Sequence, residues 1–141
     1  MTTNIGSPTS GHKLTWSVES FQAFWSNPNP ELVPGVLTDD VVGYWAGRDE
    51  PVRGRDDYTA CIAALIAAVP DVRLDVAEHA QDGEFTFVRW IMDATGRSGP
   101  FEMTGIDRIR LRDGQVAENV IVFDTNAFEH RAGIAVPWLV G

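Results

Sequence analysis

The stretch from Phe101 to Asp124, FEMTGIDRIRLRDGQVAENVIVFD, places two runs of strand-forming residues on either side of Asp113-Gly114. Asp-Gly between such runs specifies a tight hairpin, because the turn needs positive φ and glycine adopts it without strain. The hairpin imposes a period of two on each arm. In the first arm Met103, Gly105, Asp107, Ile109 and Leu111 share one face, and Thr104, Ile106, Arg108, Arg110 and Arg112 share the other. With the arginines in water, Asp107 points inward among Met103, Ile109 and Leu111. A carboxylate there is costly unless a partner or a proton neutralises it.

The rest of the chain supplies elements to pack against that hairpin. Trp16, Val18, Phe21, Phe24 and Trp25 recur at helical spacing until Asn27-Pro28-Asn29-Pro30 ends the pattern. A short second helix is expected over Glu31 to Leu37, distorted by Pro34, then a strand over Val41 to Trp45 and a loop from Gly47 to Arg53. Arg55 to Val69 is the clearest helix: Tyr58, Cys61, Ile62, Leu65, Ile66 and Val69 form one stripe, with Asp56 and Asp57 at its positive end and Pro70 closing it. Val72, Leu74 and Val76 alternate as a half-buried strand, and Gln81-Asp82-Gly83 turns the chain back beside a surface His79. Glu84 to Asp93 follows, apolar on both faces. Ala94 to Pro100 reads as a glycine-rich turn, Asn126 to Arg131 as a short helix, and the tail with Ile134, Val136, Trp138 and Leu139 needs a groove. Helices first and four long strands after give an α+β chain.

Composition excludes several function classes. The 141 residues suit one domain, and the net charge of -9 disfavours a phosphate backbone as partner. The single cysteine, Cys61, cannot form an internal disulfide and lies in an apolar helical run, as a buried thiol does. No apolar run reaches a membrane span, and Met1 to Lys13, rich in Ser, Thr, Gly and Pro, lacks a signal-peptide core. That segment, with His12, is expected to be a disordered leader, and the protein to be cytoplasmic. No metal-ligand spacing, phosphate loop or Ser/His/Asp set is present, so no metal or cofactor is implied.

Pro51-Val52-Arg53-Gly54-Arg55-Asp56, Val69-Pro70-Asp71-Val72-Arg73, Val88-Arg89-Trp90, Gly105 to Arg110, Asp113 to Glu118 and Asp124 occur in the order found in the nuclear transport factor 2-like superfamily. The chain resembles its SnoaL-like branch of polyketide cyclases over roughly Trp16 to Pro137. The resemblance implies a cone-shaped, curved mixed or antiparallel sheet wrapped around helices, an α+β barrel of the cystatin-like kind, as one SnoaL-like domain over residues 14–141. Its apolar interior would bind a small hydrophobic, oxygen-bearing molecule. Phe21, Trp25, Trp45, Phe87, Ile91, Ile109, Asn119, Ile121 and Phe123 would be ligand-binding, and Asp107 and Arg89 catalytic, on the reading that Arg89 shares the Phe87 and Ile91 face and that this face points inward. Of the superfamily's ketosteroid isomerase residues only the acid at Asp107 is matched, Trp45 and Phe21 standing at the base and tyrosine positions. Of its epoxide hydrolase triad only Arg89 remains.

Asp107 reads either as an acid/base or neutral hydrogen-bond donor to a ligand, or as the partner of Arg89 in a structural pair. Acid/base isomerisation, dehydration or aldol-type cyclisation is the expected activity, and a non-catalytic binding module is the alternative. If Arg89, Asp107 and Ile121 face inward, then Val88, Trp90, Met92, Ile106, Val120 and Val122 face outward. Such a patch predicts a homodimer through the outer sheet face.

Overall fold

The computed structural model describes residues 14–139, so the expected leader and His12 lie outside the described residues. Strand β1 (Leu37–Tyr44), the two-residue β2 (Val52–Arg53), β3 (Arg73–Asp82), β4 (Phe85–Gly96), β5 (Gly99–Arg112) and β6 (Gln115–Phe123) form one open mixed sheet in the order β2-β1-β6-β5-β4-β3. β1 lies parallel to β6, and every other neighbouring pair is antiparallel. Helices α1 (Val18–Ser26) and α2 (Arg55–Ala68) cover one face, packing on β3 and β1. Helix α3 (Thr125–Ala132) packs against the β4–β5 end. This is the α+β architecture expected from the sequence, with the sheet open rather than closed into a barrel. Among the described residues no helix is long and apolar enough to cross a membrane.

Local chemistry accounts for the boundaries. Ser17 and Ser20 cap α1 reciprocally: the Ser20 amide donates to Ser17 Oγ at 3.0 Å and the Ser17 amide to Ser20 Oγ at 2.8 Å. Tyr58, Ile62 and Leu65 form the buried face of α2, one helical turn apart. Asp124, at the end of β6, accepts from the Ala127 amide and starts α3. In the hairpin turn Asp113 and Gly114 both take positive φ, 54° and 80°, the type I′ geometry that matches the twist of paired strands.

Several elements differ from expectation. Instead of a helix over Glu31 to Leu37 there are two single 3-10 turns, Pro30–Leu32 and Pro34–Val36. Each opens on a proline, whose missing N–H is harmless only at a helix start. Leu37 then begins β1, four residues before the expected strand. The loop from Gly47 contains β2, whose Val52 and Arg53 pair with Gly43 and Val42. Ala94 to Pro100 is mostly strand, the turn shrinking to Arg97 and Ser98 between Gly96 and Gly99. The tail does find a groove: Trp138 is buried, its Nε1 donates to the Ala46 carbonyl at 2.8 Å, and its ring lies 4.8 Å from that of Trp45.

The main correction concerns β4. Val88 stands directly opposite Asp107 in the antiparallel ladder, Thr86 opposite Ile109, and Trp90 opposite Gly105. Directly opposed residues share a face, so Val88, Trp90 and Met92 are the buried set, while Phe87, Arg89 and Ile91 face outward. Both halves of β4 are apolar enough to be buried, and periodicity alone had no polar face to exclude. The outward apolar residues are therefore Phe87, Ile91, Ile106, Val120 and Val122, joined by Tyr44, which pairs with Val120; Val88, Trp90 and Met92 are not among them.

Candidate functional site

Between the inner sheet face and the helices lies a pocket of about 550 Å³, walled by α1, α2, the two 3-10 turns, the tail and strands β3 to β6. Helix α1 contributes Phe21 and Trp25 because they fall on its buried stripe. Trp45, just past β1, and Tyr58 of α2 contribute the opposite wall, their rings 5.5 Å apart. β5 and β6 add Ile109, Asn119, Ile121 and Phe123, all on the parity that points inward.

Asp107 lies at the pocket's polar end and is 7% exposed. Its Oδ1 accepts from Trp90 Nε1 at 2.8 Å, and its Oδ2 accepts from Asn119 Nδ2 at 3.3 Å. Asn119 Nδ2 also donates to the Arg108 carbonyl at 3.3 Å, and a carbonyl can only accept, which fixes the orientation of the amide. Asn119 Oδ1 therefore faces Tyr58, whose hydroxyl donates to it at 2.5 Å. The result is a buried chain, Trp90 to Asp107 and Tyr58 to Asn119 to Asp107, made of neutral donors ending on one acid. Burial pushes the Asp107 carboxyl up to about 6, against the opposing effect of the bonds from Trp90 and Asn119. Burial, with the Asp107 charge adding to it, raises the Tyr58 phenol well above its ordinary value.

Of the residues singled out from sequence, Asp107, Phe21, Trp25, Trp45, Ile109, Asn119, Ile121 and Phe123 are brought together around the pocket. Phe87, Arg89 and Ile91 are not. Phe87 is 39% exposed, and Arg89 reaches across the outer face, its Nε donating to Glu78 Oε1 at 2.8 Å and its Nη1 to Thr104 Oγ1 at 3.1 Å. The alternative reading of Asp107 as the partner of Arg89 in a structural pair is thus ruled out by the register of β4. Trp90, expected on the outer sheet face, and Tyr58, expected only in the apolar stripe of α2, hold the acid in place directly and through Asn119. Both carry a polar tip on an apolar body, and a buried indole or phenol needs a hydrogen-bond partner; with Asp107 already placed inside, that need was the available signal. Among the described residues no group of three or more His, Cys, Asp or Glu is placed to hold a metal ion.

A family model described as a SnoaL-like domain matches residues 18–119. Among solved structures, a protein of ketosteroid isomerase-like fold from Catenulispora acidiphila, in complex with trimethylamine, superposes with a TM-score of 0.71 at 15% identity, covering 86% of this chain and 95% of its own. TerC, co-crystallised with polyporic acid, gives 0.70 at 18% identity over 82% of this chain and 95% of its own. IdmH from Streptomyces antibioticus, a candidate polyketide cyclase, gives 0.70 at 21% identity over 83% and 96%. At these identities the likeness is one of fold. No curated protein matches the sequence.

Proposed function

The chain belongs to the SnoaL-like domain family, and on that premise we propose that its pocket takes up a small, mostly apolar molecule and that Asp107 exchanges a proton with it in an isomerisation, dehydration or ring-closing step. The observation that carries this reading is a carboxyl group buried at the end of an apolar pocket and held, among the described residues, only by neutral donors, with its pKa raised to about 6. A base is most effective when its pKa lies near the working pH, and burial brings this one there. The pocket volume suits a compact ligand. Two fold relatives crystallised with small molecules add support, since trimethylamine and polyporic acid are likewise small.

The test is exchange of ligand hydrogens with D2O, read by mass spectrometry over a panel of apolar carbonyl compounds and their imines. Exchange should rise with pH through about 6 as Asp107 ionises, and the Asp107→Asn variant should lose a factor of roughly 100 to 10,000. A fully active Asp107→Asn protein would overturn the catalytic role and leave binding without chemistry, the reading that the sparse polar lining otherwise favours.

We propose also that a second copy covers the outer sheet face. Ile106 and Val122 sit side by side there, 44% and 57% exposed, flanked by Phe87 and Tyr44. Around them Arg89–Glu78 and Arg108–Glu118 alternate in sign, so the face can pair with its own copy about a two-fold axis. Ile106→Glu should yield monomer in sedimentation; a wild-type protein already monomeric at roughly tens of micromolar would reject the dimer.

A further inference from the structure

The ligand class follows from what the polar end of the pocket lacks. Each hydrogen-bond donor tied to Asp107 is already used: Trp90 Nε1 on Asp107, Asn119 Nδ2 on Asp107 and the Arg108 carbonyl, and the Tyr58 hydroxyl on Asn119. Trp45 Nε1, which has no acceptor among the described residues, is buried beside the Tyr58 ring: a Cβ placed on Gly43 would stand 2.7 Å from that nitrogen and 2.9 Å from Tyr58 Cδ2. Among the described residues lining the pocket there is no Lys, Arg or His, and Asp107 is the one carboxylate. When ionised, Asp107 and the free lone pairs of the Tyr58 oxygen therefore offer a ligand only acceptors.

Aromatic rings form a continuous chain that begins and ends at the network holding this acid. Tyr58 lies 5.5 Å from Trp45, Trp45 4.8 Å from Trp138, Trp138 5.9 Å from Phe123, and Phe123 6.0 Å from Trp90. Trp90 then bonds Asp107, and Asn119 links Asp107 back to Tyr58. Ring faces attract cations, and a buried carboxylate without a counter-ion does so more strongly. We propose that the molecule this pocket selects is an apolar nitrogen cation, a protonated amine or imine, seated against Asp107 and the aromatic chain of Tyr58, Trp45, Trp138, Phe123 and Trp90.

This inference rests on the proposed role of Asp107 and narrows its substrate. Taking a proton from the carbon beside a ketone would leave an enolate oxygen that Trp90, Asn119 and Tyr58, the donors of the Asp107 network, could not meet without giving up the bonds they already make. Beside a protonated imine the same step neutralises charge: the C–H pair becomes the new C=C bond, the C=N π pair returns to nitrogen, and the proton stays on an Asp107 oxygen. A neutral enamine and a neutral acid remain, which an apolar site holds far more readily than an ion.

Three probes of matched shape test it by calorimetry: cyclohexylmethylamine, cyclohexylmethanol and cyclohexanecarboxylate. At about pH 7.5 the amine should bind at least about tenfold more tightly than the alcohol, and the carboxylate should not bind. Asp107→Asn should erase the preference while keeping the alcohol. Should that variant fail to fold, the wild type still decides: near pH 5 protonation of Asp107 should weaken the amine by about tenfold and leave the alcohol unchanged. The groups facing Asp107 are Trp90 from β4, Asn119 from β6 and Tyr58 from α2; of these only Tyr58 titrates, and far above this range. Equal or tighter binding of the alcohol, or any preference for the carboxylate, overturns the cation class alone. Failure of all three to bind overturns the pocket reading and the cation class with it.

Discussion

The two faces of β4 and β5 carry charge in opposite ways. Outside, Arg89 meets Glu78 and Arg108 meets Glu118, ions paired with ions at the edge of water. Inside, among the described residues, Asp107 has no cation and is met by an indole and an amide. Solvent screens the outer pairs and lets each member stand alone at little cost, so they direct the register and surface more than they hold the fold together. The inner acid is unscreened, and every donor aimed at it is neutral, so burial lifts its pKa instead of lowering it. Exposed Asp40 shows the contrary case: the bond from Arg112 holds its carboxyl at about 2. The difference teaches that pairing an acid suits structure, and leaving it unpaired in an apolar pocket suits proton chemistry.

That contrast is open to attack at three points. Trp90→Ala should have the largest effect, because it removes a buried ring and the best donor to Asp107 together. A loss of about 3 to 5 kcal/mol in urea unfolding is expected, typical of a large core truncation. A loss below about 1 kcal/mol would mean that the inner face tolerates an unheld acid as the outer face does.

Next in size is the pH dependence. Asp107 has a folded pKa of about 6 against 3.8 unfolded, so between these values the native state binds more protons than the unfolded one. Stability from this group is therefore fullest at low pH and is lost as pH rises through about 6, by roughly 3 kcal/mol at most. The difference in stability between wild type and Asp107→Asn should change across that window and be flat above it. A flat difference throughout would show an acid already compensated in the native state.

The smallest effect is expected outside. Arg89→Ala should cost no more than about 1 kcal/mol, and its cycle with Glu78→Ala should show weak coupling that salt diminishes. Combined with Asp107→Asn it should be additive, since the two residues occupy opposite faces of the sheet. Strong coupling between Arg89 and Asp107 would reverse the assignment of β4.

What the sequence determined by itself was every feature with a local cause. Asp113-Gly114 specified the hairpin, and three arginines on one parity of β5 left Asp107 no direction but inward. The stripe from Tyr58 to Val69 specified α2, and the order of motifs along the chain specified the fold. The inward parity of β6 does not follow from the hairpin turn alone: a register shift between Arg110 and Leu111 sets Asn119 opposite Ile109 and Ile121 opposite Asp107, so Asn119, Ile121 and Phe123 were legible through the family resemblance and not through the turn. Tertiary structure alone decided β4, because a strand apolar on both sides satisfies burial either way. Only its ladder to β5, which sets Val88 against Asp107, selects one. That selection moved Arg89 out and Trp90 in, and so gave Asp107 an indole bond where an ion pair with Arg89 was one of two readings. The partners of a buried polar group lie far apart in the chain, Tyr58 and Asn119 by 61 residues. On a strand apolar on both sides periodicity reports only which residues share a face; which face turns inward, and what meets it there, depends on pairing between strands.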